Sequence, residues 1–297
     1  MPSPADLPPD PRRPDWRWQL RHRLTARDLG RPDIPAWPCL ATPYYASLAD
    51  LSDPDDPIAR QILPDPRELL PDAYGPDPFG EDGPAAIAPG IKQRFPDRIL
   101  AQVSLACAAN CRHCTRRGLL GRAHAAALPD LLAAIKARPR VREVLLSGGD
   151  PLLLPDDALL RWVDALADLP QLDAIRLCTR TPVTLPMRWT LPLVRRLARP
   201  KRLWVQTQFN HPRELTPQAI AACARLVDHG IPVSNQSVLL KGVNDDPAVM
   251  AALCAGLQRA RVRPYYIFLC DPIAGIAHFR TDPADAPNAD ALRLLEG

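Results

Sequence analysis

The chain has 297 residues, 46% of them hydrophobic and 24% charged, with a net charge of +4. It is long enough to bury one large core plus an appendage. No apolar run approaches the roughly 20 residues needed to span a bilayer, and the start MPSPADLPPDPRRP lacks a signal-peptide apolar stretch, so a cytoplasmic protein with no membrane partner is expected. The basic residues are dispersed, which gives a nucleic-acid groove no support.

In chain order, residues 1–90 carry much of the proline, a short helix at DWRWQLRHRL and the loop DPDDP at 53–57, without β/α alternation. From Arg98 the pattern changes. β-branched, apolar runs recur at 98–105, 141–148, 172–179, 202–209, 231–240 and 262–270, separated by helix-like segments. One helix is bounded at both ends, with Thr216 as N-cap, Pro217 in the first turn and Gly230 just beyond the last. Six strands spaced about 30 residues apart predict repeated βα units and a parallel sheet. The expected class is α/β: a partial (β/α)6 barrel over 91–297, preceded by a mainly helical and irregular extension over 1–90. A doubly wound open sheet is the alternative. In either case the chemistry belongs at the carboxyl ends of the strands.

Cys107, Cys111 and Cys114 form CxxxCxxC just after the first of these strands. A structural zinc site usually takes four protein ligands, whereas three thiolates on a [4Fe-4S] cube leave one iron open. A zinc knuckle with a distant fourth ligand, or three buried thiols, are the plainer alternatives. The other cysteines, Cys39, Cys178, Cys223, Cys254 and Cys270, are scattered without paired spacing, which suits a reducing compartment. After the second strand comes Ser147-Gly148-Gly149-Asp150, where paired glycines let backbone approach a ligand.

The cysteine spacing followed by Gly-Gly-Asp resembles radical SAM enzymes, which bind S-adenosylmethionine (SAM) at the open iron and hold its methionyl amine at the second motif. The resemblance narrows with CRHCTRR (111–117), LLSGGDPLL (145–153), TRTPVTLP (179–186), FNHPRELT (209–216), NQSVLLKGVND (235–245) and RPYYIFLCDPIAGIAHFRT (263–281), all similar to lysine 2,3-aminomutases. DWRWQLRHR, DPDDPIARQ and FPDRIL extend it almost to the amino end. It implies an isomerase that interconverts L-lysine and L-β-lysine through a 5'-deoxyadenosyl radical and an imine of pyridoxal 5'-phosphate (PLP).

Residue by residue, the resemblance implies that Cys107, Cys111 and Cys114 ligate the cluster, and that Ser147, Gly148, Gly149, Asp150 and Gln236 contact SAM. Gln208 stands where the family usually has a histidine facing SAM; it can hydrogen-bond but cannot become cationic. Arg94, Arg98 and His113 match PLP contacts, and paired guanidiniums suit a phosphate ester. Arg116 matches the arginine for the substrate carboxylate. Asp271 matches an aspartate for the substrate ε-ammonium, favouring lysine, or less so arginine, over glutamate. The implied partners are a small amino-acid substrate, an electron donor that reduces the cluster and, at most, a weakened homo-oligomer.

Relative to the family, this stretch reads as C-terminally truncated. The PLP lysine and a second substrate aspartate belong to a later glycine-rich segment, and none of Lys92, Lys136, Lys201 or Lys241 has a comparable context, so no catalytic residue is assigned. Asp246 replaces a cysteine that ligates zinc in some members, so no zinc is expected. Phe95 replaces a tyrosine beside the phosphate arginines. The open side of such a barrel is expected to expose apolar surface. Alternative functions are a catalytically impaired iron-sulfur and SAM-binding protein, or a radical SAM enzyme acting on another amino acid.

Overall fold

A computed structural model describes residues 11–34, 37–77, 79–81, 83–117 and 124–281; the expected extension residues 1–10 and barrel residues 282–297 lie outside these. The strands are β1 Leu24–Thr25, β2 Leu40–Ala41, β3 Ala86–Ala88, β4 Ile91–Phe95, β5 Arg98–Ser104, β6 Glu143–Gly148, β7 Ala174–Cys178, β8 Leu203–Thr207, β9 Val233–Leu239 and β10 Arg263–Leu269. The helices are α1 Trp16–Arg21, α2 Pro43–Ala46, α3 Ala59–Ile62, α4 Leu128–Lys136, α5 Asp156–Ala167, α6 Thr181–Thr184, α7 Leu191–Leu197, α8 Pro217–Asp228 and α9 Pro247–Arg259.

β5 to β10 pair in parallel in strict chain order, and β3 and β4 continue the sheet antiparallel beyond β5. A doubly wound sheet reverses its strand order at a switch point, and this order never reverses, so the partial barrel is the architecture. All six sequence-predicted strands are present. α8 has the anticipated ends: the Thr216 side chain accepts from the Ala219 amide, and Gly230 takes φ +78° just after the last turn.

Alternation along the strands divides core from cavity. Val144 and Leu146 of β6, Ile175 and Leu177 of β7, and Leu203 and Val205 of β8 bury against Leu131 and Ile135 of α4, Leu159 and Val163 of α5, and Leu193 and Leu197 of α7. On the opposite face the register aligns Leu100, Leu145, Arg176 and Trp204 in one row and, nearer the carboxyl ends, Gln102 with Ser147 and Cys178 with Gln206 and Ser234 in the next. The polar row nearer the carboxyl ends suits a ligand.

The residues before β3 pack over the carboxyl ends of the strands. Thr42 donates to the Thr184 carbonyl at 2.6 Å, and the Tyr45 hydroxyl donates to Glu214 at 2.6 Å. Along β10, Tyr266, Phe268 and Leu269 are 50%, 43% and 51% exposed, the apolar surface expected on the open side. Among the described residues no helix is long and apolar enough to cross a membrane.

Candidate active site

The loop after β5 carries the three cysteines, and the amino-terminal layer holds it through its backbone. Arg23 donates to the Cys107 carbonyl at 2.7 Å, the Trp37 indole to the Cys111 carbonyl at 3.0 Å, and the Asn110 amide to the Leu40 carbonyl at 2.7 Å. Beneath it Glu68 receives both Arg112, at 2.8 and 2.5 Å, and Arg117, at 2.5 Å, with the Glu68 and Arg112 side chains fully buried. Backbone donors and acceptors are thereby consumed while the thiols remain available, and all eight cysteines are free.

Burial pushes the Cys107 thiol well above its usual pKa, reinforced by Cys114, Asp150 and Cys111; burial and Cys111 push Cys114 up to about 11. The three sulfurs thus feel one another electrostatically, and metal binding must displace their protons. Among the described residues no group of three or more His, Cys, Asp or Glu side chains closes to single-ion distance. The cysteines of a cube ligate separate irons and so stand further apart.

The Gly-Gly turn after β6 lies directly on this loop. The Gly149 amide donates to the Ser104 carbonyl at 2.7 Å and the Asp150 amide to the Ala106 carbonyl at 2.8 Å. A Cβ on Gly148, where φ is +116°, would lie 2.3 Å from the Ser104 oxygen, and one on Gly149 would lie 2.4 Å from the Ala106 oxygen. The glycines therefore also serve a purpose the sequence did not reveal, close contact between two backbone loops. The Asp150 carboxylate accepts from the Thr179 hydroxyl at 2.8 and 2.9 Å and from the Arg180 and Leu152 amides at 2.9 Å each, tying the end of β6 to β7. Burial nevertheless raises its pKa to about 6.

His113 is buried between two of the cysteines, with Nε2 3.4 Å from the Gln208 amide nitrogen and 3.3 Å from that of Asn210. With both amides donating, the ring proton sits on Nδ1, a buried atom with no partner among the described residues. Gln206 Oε1, on the cavity face at the end of β8, is likewise buried and unpartnered. Buried polar atoms are normally hydrogen-bonded, so this cluster of orphans fits a polar cofactor held against the strand ends.

The structure brings together Cys107, Cys111, Cys114, His113, Arg116, Ser147 to Asp150 and Gln208. Arg116 donates from Nε and Nη2 to Glu81 at 2.9 and 2.8 Å, and its Nη1 lies 3.5 Å from the Ser147 hydroxyl. Gln236 lies half-buried on β9, on the same face as Ser234. Asp271 forms a second group with Arg94 and Arg280; burial raises its pKa and the two arginines oppose the rise. Arg94 is exposed and stacks over Phe79, 4.4 Å from the ring centroid. Arg98 is set apart at the start of β5, about 20 Å from Ser104 at strand rise, and bonds Asp97 at 3.1 and 2.8 Å. Asp246 caps α9 by accepting from the Ala248 amide at 2.7 Å.

Sequence reasoning missed Glu81 and Arg180. Arg180 donates to the Cys111 sulfur at 2.8 Å and to Glu214 at 2.7 Å. Its position immediately after a predicted strand was the available signal.

A parallel partial barrel with three cysteines after its first parallel strand and a glycine turn after its second defines a radical SAM protein. The radical SAM superfamily model matches residues 102–254. The fold is shared with a radical SAM methyltransferase from Sphaerobacter thermophilus, at TM-score 0.52 and 20% identity over 69% of this chain and 65% of that one. L-lysine 2,3-aminomutases from Acetoanaerobium sticklandii and Clostridium subterminale are 41% and 40% identical, each over 95% of this chain and 72% and 71% of theirs. A glutamate 2,3-aminomutase from Clostridioides difficile is 39% identical over 95% of this chain and 71% of its own. The chain belongs to the lysine 2,3-aminomutase family of radical SAM isomerases. Membership implies a [4Fe-4S] cluster and SAM as cofactors.

Proposed function

We propose that the protein interconverts L-lysine and L-β-lysine with a [4Fe-4S] cluster, SAM and PLP. The observation that carries the reading is the direct contact between the cysteine loop and the glycine turn, in a chain about 40% identical to lysine 2,3-aminomutases over 95% of its length. When bound, the cluster and SAM supply a hydrogen-abstracting group, and PLP supplies the carrier on which an amino group migrates.

Cys107, Cys111 and Cys114 would hold the cluster. Ser147 to Asp150, Gln208 and Gln236 would orient SAM beside it, with the unpartnered Gln206 as a further contact. His113 would donate from Nδ1 to PLP and Arg94 would supply charge for its phosphate, while Arg98, held by Asp97 at the far end of β5, stays outside this set. Arg116 would bind the substrate carboxylate, and Ser147 lies within reach of the same guanidinium. The described residues before β3 would cover the barrel mouth and exclude water from the reacting groups.

Asp271 supports the lysine reading over the glutamate activity named for one relative. A partly buried carboxylate attracts an ammonium and repels a second carboxylate, so it supports lysine, with Arg94 and Arg280 as the cations a substrate ammonium must compete with. The test is anaerobic reconstitution with iron, sulfide, SAM, PLP and a one-electron reductant, followed by separate incubation with L-lysine, L-arginine and L-glutamate. β-Lysine as the sole β-amino acid is the expected product. SAM cleavage without any β-amino acid would reject the reading.

A further inference from the structure

Arg180 follows β7 and is 8% exposed, yet no step described above requires it. Its Nη2 donates to Glu214 at 2.7 Å, Gln61 at 2.5 Å and the Tyr45 hydroxyl at 2.9 Å, and its Nε donates to the Gln208 carbonyl at 3.2 Å. Glu214, whose side chain is fully buried, is itself fixed by the Tyr45 hydroxyl and the Asn210 amide, each at 2.6 Å. The guanidinium is thus clamped, and the edge left over points Nη1 at the Cys111 sulfur, 2.8 Å away. Among the described residues, Cys111 is the one cysteine of the three whose sulfur receives a side-chain donor; Cys114 receives a backbone amide from Arg116 at 3.4 Å.

We propose that Arg180 is a positioning residue for the iron-sulfur cluster: its clamped guanidinium hydrogen-bonds the Cys111 sulfur and makes the bound cluster easier to reduce. The inference rests on the reading that Cys111 is a cluster ligand. Reduction adds one electron, taken from a low-potential one-electron donor, with no bond broken and no proton moved. The added negative charge spreads over the ligand sulfurs, so an N–H donor on one of them favours the reduced state, and hydrogen bonding to sulfur is an established means of tuning such potentials. Glu214 balances the charge of Arg180 at longer range, which leaves the directional N–H···S contact as the local effect. The same clamp fixes Cys111 relative to α2 and α3, from which Tyr45 and Gln61 come.

The experiment is an EPR-monitored redox titration of the cluster-loaded protein without SAM, on the unmodified chain, Arg180→Lys, Arg180→Gln and the double variant Arg180→Gln/Glu214→Gln. Iron and sulfide per chain are measured first. Arg180→Gln should lower the reduction equilibrium constant about tenfold, a shift of ~59 mV to more negative potential for a one-electron couple, with an altered EPR spectrum. Arg180→Lys, which keeps the charge and loses the fork, should fall between. Where Arg180→Gln unfolds because Glu214 is left buried and unpaired, the double variant carries the measurement. Normal cluster loading with unchanged potential and spectrum in the glutamine variants overturns the inference alone. Failure of the unmodified chain to bind any cluster overturns the ligand reading, and this inference with it.

Discussion

Arg116 and Glu81 meet fork to fork, with Nη2 2.8 Å from Oε1 and Nε 2.9 Å from Oε2. Glu81 is 4% exposed and also receives the Gln102 side chain at 3.4 Å. A protein carboxylate therefore occupies the bidentate position that an amino-acid carboxylate would take on Arg116. Under the proposed role of Arg116, a substrate carboxylate would have to displace it or share the guanidinium. Glu81→Gln keeps an acceptor and removes the competing charge, so KM for the amino acid should fall about 5–10-fold, roughly 1–1.4 kcal/mol. Arg116→Lys should raise KM by about tenfold, because an ammonium cannot reproduce the fork. A raised KM in Glu81→Gln would mean that Glu81 orients Arg116 instead of competing with substrate.

The contact between the glycine turn and the cysteine loop makes a second test. In Gly149→Ala the new methyl would lie 2.4 Å from the Ala106 oxygen and 2.8 Å from the Ala106 nitrogen and carbonyl carbon, all backbone atoms that cannot rotate away. The expected cost is about 1–3 kcal/mol from overpacking, with the two loops pushed apart. Isothermal titration should show SAM affinity reduced by at least tenfold in a chain that still binds iron. Unchanged affinity would place the glycines outside the SAM site.

Glu68 is the support below the cysteines, since its one carboxylate receives both Arg112 and Arg117. Glu68→Gln leaves two buried guanidiniums facing a neutral amide. Breaking a buried pair from one side typically costs about 3–5 kcal/mol, because the remaining charge is desolvated without compensation. Denaturant unfolding should show a loss of that order, and iron retained after desalting should fall in parallel. Loss of iron without loss of stability would separate loop order from folding.

The barrel was legible in the sequence because its strands are strongly apolar and bounded by turn residues. The predicted run 98–105 became Arg98–Ser104, and 202–209 became Leu203–Thr207. β3 and β4 were missed, since AIA is short and IKQRF carries a lysine, a glutamine and an arginine in five residues. The cysteine and glycine motifs were legible through their spacing. Glu81, Arg180 and Glu214 were not, because Arg116 lies 35 residues from Glu81, Glu214 lies 34 from Arg180, and Tyr45 lies 135 and 169 from Arg180 and Glu214, so these groups meet only once the sheet has formed. Arg98 shows the converse: its motif was readable, but its ion pair with Asp97 and its place at the far end of β5 follow from the fold.

His278 sets the last prediction, the acid limb of stability. It is partly buried beside Phe279, with ring centroids 4.2 Å apart, and neither ring nitrogen has a partner among the described residues. Burial lowers its pKa to about 4, with Asp65 opposing the shift. The unfolded chain, with an ordinary value near 6.5, therefore binds more protons than the folded one between about pH 6.5 and 4. The contribution of His278 is fully present above about pH 6.5 and is lost as pH falls through that window. Asp150 has the opposite sign: its pKa of about 6 exceeds the unfolded value of 3.8, so it favours the folded state increasingly as pH falls between those values. Urea midpoints at pH 7, 6 and 5 should drop for the unmodified protein. His278→Gln should make that slope shallower, while His113 and His211, also lowered by burial, keep its sign. Parallel slopes in the two proteins would show that His278 is already solvated and protonates normally in the folded chain.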